Sequence, residues 1–171
     1  MEAVFEGDQS SSSWVAKLVE LLQPLSLRAD RLAGMELFAG LRWADLEFAA
    51  DLLHETNLER GTRLTVQGRS TGQLWLITEG EALVSANARP LRVLGYGDAV
   101  GLTSLLERRG SPETTIALSP IRALAAGPEE FRELVARPVI RERFAAATRT
   151  TRRRPNRPTR QRSEAASASR P

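Results

Sequence analysis

The residues best suited to chemistry form a run of glycines followed by short polar side chains. Leu94-Gly95-Tyr96-Gly97-Asp98-Ala99-Val100-Gly101 leads into Leu102, Thr103 and Ser104, and Thr114 and Thr115 follow a short way downstream. A glycine turn running into a short helix, predicted over Leu102–Leu106, aims unpaired backbone N–H groups and the positive end of the helix dipole at one point. An anion such as a phosphate can sit there, and it also favours a bidentate arginine. That geometry brings Gly101, Leu102, Thr103 and Ser104 to the point where such an anion would sit.

A second set lies near the C-terminus: Arg149, Arg152, Arg153, Arg154, Arg157, Arg160 and Arg162. Residues 1–136 carry 13 basic and 19 acidic side chains, a net of −6, whereas 137–171 carry 11 arginines and two glutamates, a net of +9. The whole-chain value of +3 thus averages an acidic body and a basic tail. Three readings of the tail stand: a solvated end, a salt-sensitive contact with nucleic acid or acidic lipid, and a contact with an acidic protein. It holds no aromatic residue for base stacking.

Other chemistry is excluded by what the chain lacks. With no Cys, it has no disulfide, thiolate metal site, iron–sulfur cluster or cysteine nucleophile. The single histidine, His54, falls by periodicity at the end of a helix, where it reads as a surface residue rather than a haem or metal ligand. There is no nucleophile elbow, P-loop or dinucleotide fingerprint, so no enzyme is expected. No apolar run reaches the roughly 18 residues of a membrane span, and the N-terminus does not read as a secretory signal. A cytoplasmic protein that is not transmembrane is expected.

The elements that must position these residues can be read from periodicity. Residues 1–13 end in a serine run and read as a flexible N-terminus, and 14–29 as an amphipathic helical lead-in. Trp14, Val15, Leu18, Val19, Leu21 and Leu22 share one apolar face, either docked on the body or covered by a partner. A short helix is expected over Ser26–Leu32, and a clearer one over Trp43–His54, where Leu46, Ala49, Ala50 and Leu53 form a stripe. Between Leu58 and Ala126 the period falls to two. Strands are expected around Leu64–Val66 and at Leu74–Ile77, Ala82–Ser85, Leu91–Leu94, Thr114–Leu118 and Ile121–Ala126, with a hairpin at Glu79-Gly80. Many short strands between glycine turns, with no βαβ alternation, predict an α+β fold that is mainly β: an antiparallel, jelly-roll-like β-roll over 30–137, flanked by N- and C-terminal helices. A helix opens at Pro128 with Phe131, Leu134 and Val135 on its apolar face, Pro138 interrupts it, and a C-terminal helix is expected over 138–148. Residues 149–171 lack any hydrophobic period and are expected to be disordered.

Taken in order, these pieces resemble the cyclic nucleotide-binding domain of catabolite-activator-type transcription factors and kinase regulatory subunits. Leu37-Phe38-Ala39-Gly40-Leu41 with Leu46 is similar to the helical segment before the family's roll, and Gly61 and Gln67-Gly68 to its first turns. Trp75-Leu76-Ile77 with Glu79-Gly80-Glu81-Ala82 is similar to its strand and hairpin. Leu94–Gly101 is close to the turn that opens its phosphate-binding cassette, and Phe131 with Leu134 suits the helix after the roll. The resemblance spans about residues 30–137 and implies a non-enzymatic regulatory or sensor module.

It also marks two departures. In the family an acid that contacts the ribose follows the last cassette glycine, and an arginine that grips the cyclic phosphate begins an Arg-Ser/Thr-Ala-Thr-Val stretch. Here Leu102 stands at the acid's position; aligning Thr114-Thr115-Ile116 with Ala-Thr-Val puts Pro112 at the arginine's and Glu113 beside it. A carboxylate near a phosphate repels it, and losing one partner of a buried charge-assisted pair costs about 2–5 kcal/mol. The resemblance therefore implies weak or absent cyclic AMP and cyclic GMP binding, with Arg108 or Arg109 as possible substitutes and no certain cofactor. Leu102 with Thr103, Ser104, Thr114 and Thr115 would line either a cavity for a neutral or apolar ligand or one collapsed on its own side chains. Only about 35 residues follow Ala136, broken by Pro138, Pro155 and Pro158, too few for the family's helix-turn-helix, so no sequence-specific DNA binding is expected. The expected output is a protein partner or larger assembly. The alternative is a ligand-free pseudo-receptor acting as an adaptor through the N-terminal helix and basic tail.

Overall fold

The computed structural model describes residues 25–153. The expected flexible segment 1–13, the Trp14–Leu22 helix and the tail beyond Arg153 lie outside the described residues. Helix α1 spans Leu25–Ala33, a single 3-10 turn covers Glu36–Phe38, and α2 spans Trp43–Leu52. Eight strands follow: β1 His54–Leu58, β2 Arg63–Thr65, β3 Leu74–Glu79, β4 Ala82–Ala86, β5 Arg89–Leu94, β6 Ala99–Val100, β7 Thr114–Ala117 and β8 Ile121–Ala126. Between β6 and β7 sits α3, Leu102–Glu107; after β8 come α4, Pro128–Ala136, and α5, Pro138–Arg153.

The strands form two four-stranded sheets, in the orders β1-β8-β3-β6 and β2-β7-β4-β5, with every named pair antiparallel. This is the expected β-roll between helices. Strands β3 and β8 run down the centre of the first sheet and are covered on both faces, which is why Leu74-Trp75-Leu76-Ile77 is apolar throughout. Alternation along β3 sends Trp75 and Ile77 into the roll, where they join Leu64, Ala82, Ala117, Ala123 and Ala125. Leu74 and Leu76 face the helices and join a larger core built on Leu32, Phe38, Leu46, Leu53, Phe131, Leu134, Ile140 and Phe144.

That helical layer holds α5 firmly. Phe144 meets Phe38 edge-on at 5.9 Å between ring centroids and stacks on Phe131 at 6.1 Å. At the elbow between α4 and α5, Arg137 donates to the buried Asp45 carboxylate at 2.7 Å, and its guanidinium lies 3.8 Å from the Phe48 ring centroid.

Two expected boundaries move. The helix predicted over Trp43–His54 ends at Leu52, and His54 opens strand β1 rather than closing a helix. The stripe residue Leu53 is still fully buried, but from extended backbone, and β1 pairs along its whole length with β8, from His54↔Ala125 to Leu58↔Ile121. Cross-strand pairing overrides the helical spacing here, and β1 carries little hydrophobic alternation because it is an edge strand with mostly exposed side chains. At the other end, α5 continues to Arg153 instead of stopping near Thr148. Once Ile140, Phe144 and Thr148 are anchored, adding each further residue needs no new nucleus, and arginine is a good helix former.

Candidate functional site

Strand β6 leads directly into the cassette. Gly101 precedes α3 in the left-handed region, at φ +88°, and a Cβ there would lie 2.4 Å from the Gln73 carbonyl oxygen, so both conformation and crowding require glycine. In the preceding turn the Gly95 N–H donates to the Asp98 carboxylate at 2.8 Å, and the turn is tied to β3 by the Gly97 N–H donating to the Ile77 carbonyl at 2.8 Å and the Ile77 N–H to the Asp98 carbonyl at 3.0 Å.

Of the polar side chains singled out by the sequence, Ser104, Thr114 and Thr115 are hydrogen-bonded within the fold. Ser104 is buried; its hydroxyl donates to the Arg109 carbonyl at 2.5 Å and accepts from the Thr71 N–H at 3.4 Å. Thr114 Oγ1 accepts from the Gln67 N–H at 2.9 Å. Thr115 is buried and shares a 3.0 Å hydrogen bond with Thr65 Oγ1, which is 3.1 Å from the Glu113 carbonyl oxygen. Thr103 is half-buried on α3. Leu102, 5% exposed, packs with the helix-side core, not among the apolar side chains that fill the roll.

Arg108 and Arg109 are exposed, and Arg109 pairs with Glu107. Pro112 is exposed as well. Arg152 and Arg153 lie in the last turn of α5, and Arg154, Arg157, Arg160 and Arg162 lie outside the described residues.

The loop between β2 and β3 is fastened onto the cassette's far end. The Gly68 N–H donates to the Ser111 carbonyl and the Ser111 N–H to the Arg69 carbonyl, each at 2.8 Å. Gly110 approaches so closely that a Cβ there would lie 2.5 Å from the Gly68 carbonyl oxygen. Beside this seam is an open cleft of about 300 Å³ lined by Leu64, Thr65, Val66, Arg69, Ser70, Thr71 and Gly72. None of the six sequence-predicted contact residues lines it.

One feature escaped the sequence reading. Arg92 on β5 donates from Nη1 and Nη2 to the two carboxylate oxygens of Glu113, at 2.8 and 2.6 Å. Val84, fully buried, is the cross-strand partner of both Arg92 and Thr115, and paired residues share a face, so Arg92 is on the roll side of its sheet. The signal was present: Leu94, two residues on, packs against the roll core, so strand alternation puts Arg92 on the same inward face.

Among the described residues no group of three or more His, Asp or Glu is arranged to hold a metal ion, and no helix is long and apolar enough to cross a membrane.

Comparison with known proteins agrees with this architecture. Residues 55–138 match the family model of the cyclic nucleotide-binding domain. Similar solved structures include the regulatory domain of Toxoplasma gondii protein kinase A with cyclic AMP, at 15% identity and a TM-score of 0.67, covering 76% of this chain and 50% of that one. The Thermus thermophilus catabolite activator protein is similar at 24% identity and a TM-score of 0.61, covering 68% of this chain and 58% of that one. A regulatory subunit of a cyclic-AMP-independent protein kinase A from Trypanosoma brucei is similar at 18% identity and 0.65, over 77% and 47%. At these identities the likeness is one of fold, and the chain spans about half the length of these structures. No curated protein sequence matches the chain.

Proposed function

We propose that the chain is a regulatory module of the cyclic nucleotide-binding family that does not bind cyclic AMP or cyclic GMP with a receptor's affinity. Leu102 carries this reading. At the position of the family's ribose-binding acid stands a leucine whose side chain is buried in the helix-side core, and it offers the roll no acceptor. Proline at position 112 adds the loss of the guanidinium. Each missing partner of a charge-assisted contact costs about 2–5 kcal/mol, together several powers of ten in affinity.

The test is a titration of the full chain with cyclic AMP and cyclic GMP, following melting temperature and tryptophan emission. Trp75 lies in the roll core and would report occupancy. No change is expected through the sub-millimolar range. A ligand at one hundred times its Kd stabilises by about 2.7 kcal/mol, so a rise of several degrees at those concentrations would refute the proposal.

A second reading, an adaptor that acts through its basic end, is favoured by the extension of α5 to Arg153, which puts Arg149, Arg152 and Arg153 on a helix continuous with the folded body. Deleting 149–171 should abolish any salt-dependent retention on heparin. Retention unchanged by the deletion would place the basic surface on the body instead.

A further inference from the structure

An arginine on the inward side of a strand has to be neutralised where it stands, because a guanidinium held partly out of water without a partner is costly. Arg92 meets this requirement in one way: both of its terminal nitrogens donate to Glu113, and the two side chains keep only 20% and 25% of their exposure. Glu113 is itself held. Its carbonyl oxygen accepts from Ser111 Oγ at 2.7 Å and lies 3.1 Å from Thr65 Oγ1, so the backbone that carries the carboxylate is fixed by hydroxyls from the cassette's end and from β2.

The pair occupies a telling place. Glu113 directly precedes β7, next to the position where a receptor of this fold has its anion-gripping arginine, and Arg92 reaches it from β5 across β4. A carboxylate and a phosphate present the same two-oxygen edge to a guanidinium fork. We infer that Glu113 is a built-in anion: its carboxylate fills the fork of Arg92, excludes anionic ligands from this end of the roll, and restricts any ligand taken there to one uncharged at that end. The inference deepens the proposed function and rests on it, since a roll that already bound cyclic nucleotides would need no such exclusion. An internal carboxylate competes at a high effective concentration, so a dissolved anion cannot displace it without being bound far more tightly. Removing the carboxylate therefore opens the fork. Arg92 is then the cation that a phosphate would find.

The experiment uses the full chain in three forms: wild type, Glu113→Gln, and the double variant Arg92→Met with Glu113→Gln. Each is titrated with inorganic phosphate and with cyclic AMP at low ionic strength, by calorimetry and by melting temperature. Wild type should bind neither. E113Q should gain saturable anion binding at least about tenfold tighter than wild type, weakened by salt, and the double variant should lose that gain while still melting cooperatively. Should E113Q be destabilised by its orphaned arginine, phosphate should raise its melting temperature and leave that of the double variant unchanged. An E113Q protein that binds anions no better than wild type, or that phosphate neither stabilises nor allows to fold, overturns the inference and leaves the proposed function standing. Cyclic AMP binding by the wild type overturns both.

Discussion

Two arginine–carboxylate pairs close this molecule at different points, and they are built differently. Arg137–Asp45 sits at the elbow between α4 and α5, where the guanidinium also covers the Phe48 ring and the neighbouring core is filled by Phe38, Phe131, Ile140 and Phe144. Arg92–Glu113 sits in the second sheet, near Thr65, Ser111 and Thr115, with both terminal guanidinium nitrogens engaged. The first pair adds to a contact that apolar packing already makes. The second stands beside hydroxyls, at the end of the roll from which we propose that it excludes anions. The difference separates an ion pair that supports architecture from one that governs what can bind.

The largest effect should come from the apolar side of that comparison. Phe144 is fully buried between two other phenylalanines, and Phe144→Ala removes the contact that seats α5. Substitutions of this kind cost about 3–5 kcal/mol, which for a domain of this size lowers the melting temperature by about 10 °C or more. The double variant at positions 92 and 113 removes a charge pair without leaving either partner orphaned, and such replacements are often close to neutral. Its melting temperature should stay much nearer to wild type than that of F144A. Equal losses measured by calorimetry would break the distinction between the two regions.

How much of this was legible in the sequence follows from how each residue is fixed. β3 and β8 were readable because burial on both faces leaves an apolar run, and the α2 stripe because its residues recur at helical spacing. β1 was not, since an edge strand with exposed side chains carries no such pattern and is defined by its pairing with β8. β6, two residues long, is too short to show a period. At the site, the glycines were readable because conformation demands them, as at Gly101. The resemblance could place Leu102 at the acid's position but could not say that α3, packed against β3 and α5, would turn it into the helix-side core. From the sequence alone Glu113 reads as a charge that repels phosphate. Its neutralisation by Arg92 is a long-range contact between β5 and the start of β7, one that only strand register reveals.

The smallest effect, and the one that sharpens the comparison from the other side, is the acid response of the elbow. The Asp45 carboxyl is held below its ordinary value, chiefly by the hydrogen bond from Arg137, against the opposing pull of burial and with help from Arg42, whose Nε is 3.4 Å from Oδ2. A carboxyl whose folded value lies below its unfolded one favours the folded state at pH above the ordinary range near about 3.9. That contribution fades as the pH falls from there through the lower folded value. Asp45→Asn keeps the shape and removes the charge, so its melting temperature should fall below wild type at neutral pH, and the gap should close as the pH drops below about 4. Paired melting curves across that range provide the check. No gap at neutral pH would mean that Asp45 acts at the elbow through packing alone, since asparagine keeps the shape, and a gap that persisted or widened in acid would tie the loss to something other than the charge of the carboxylate.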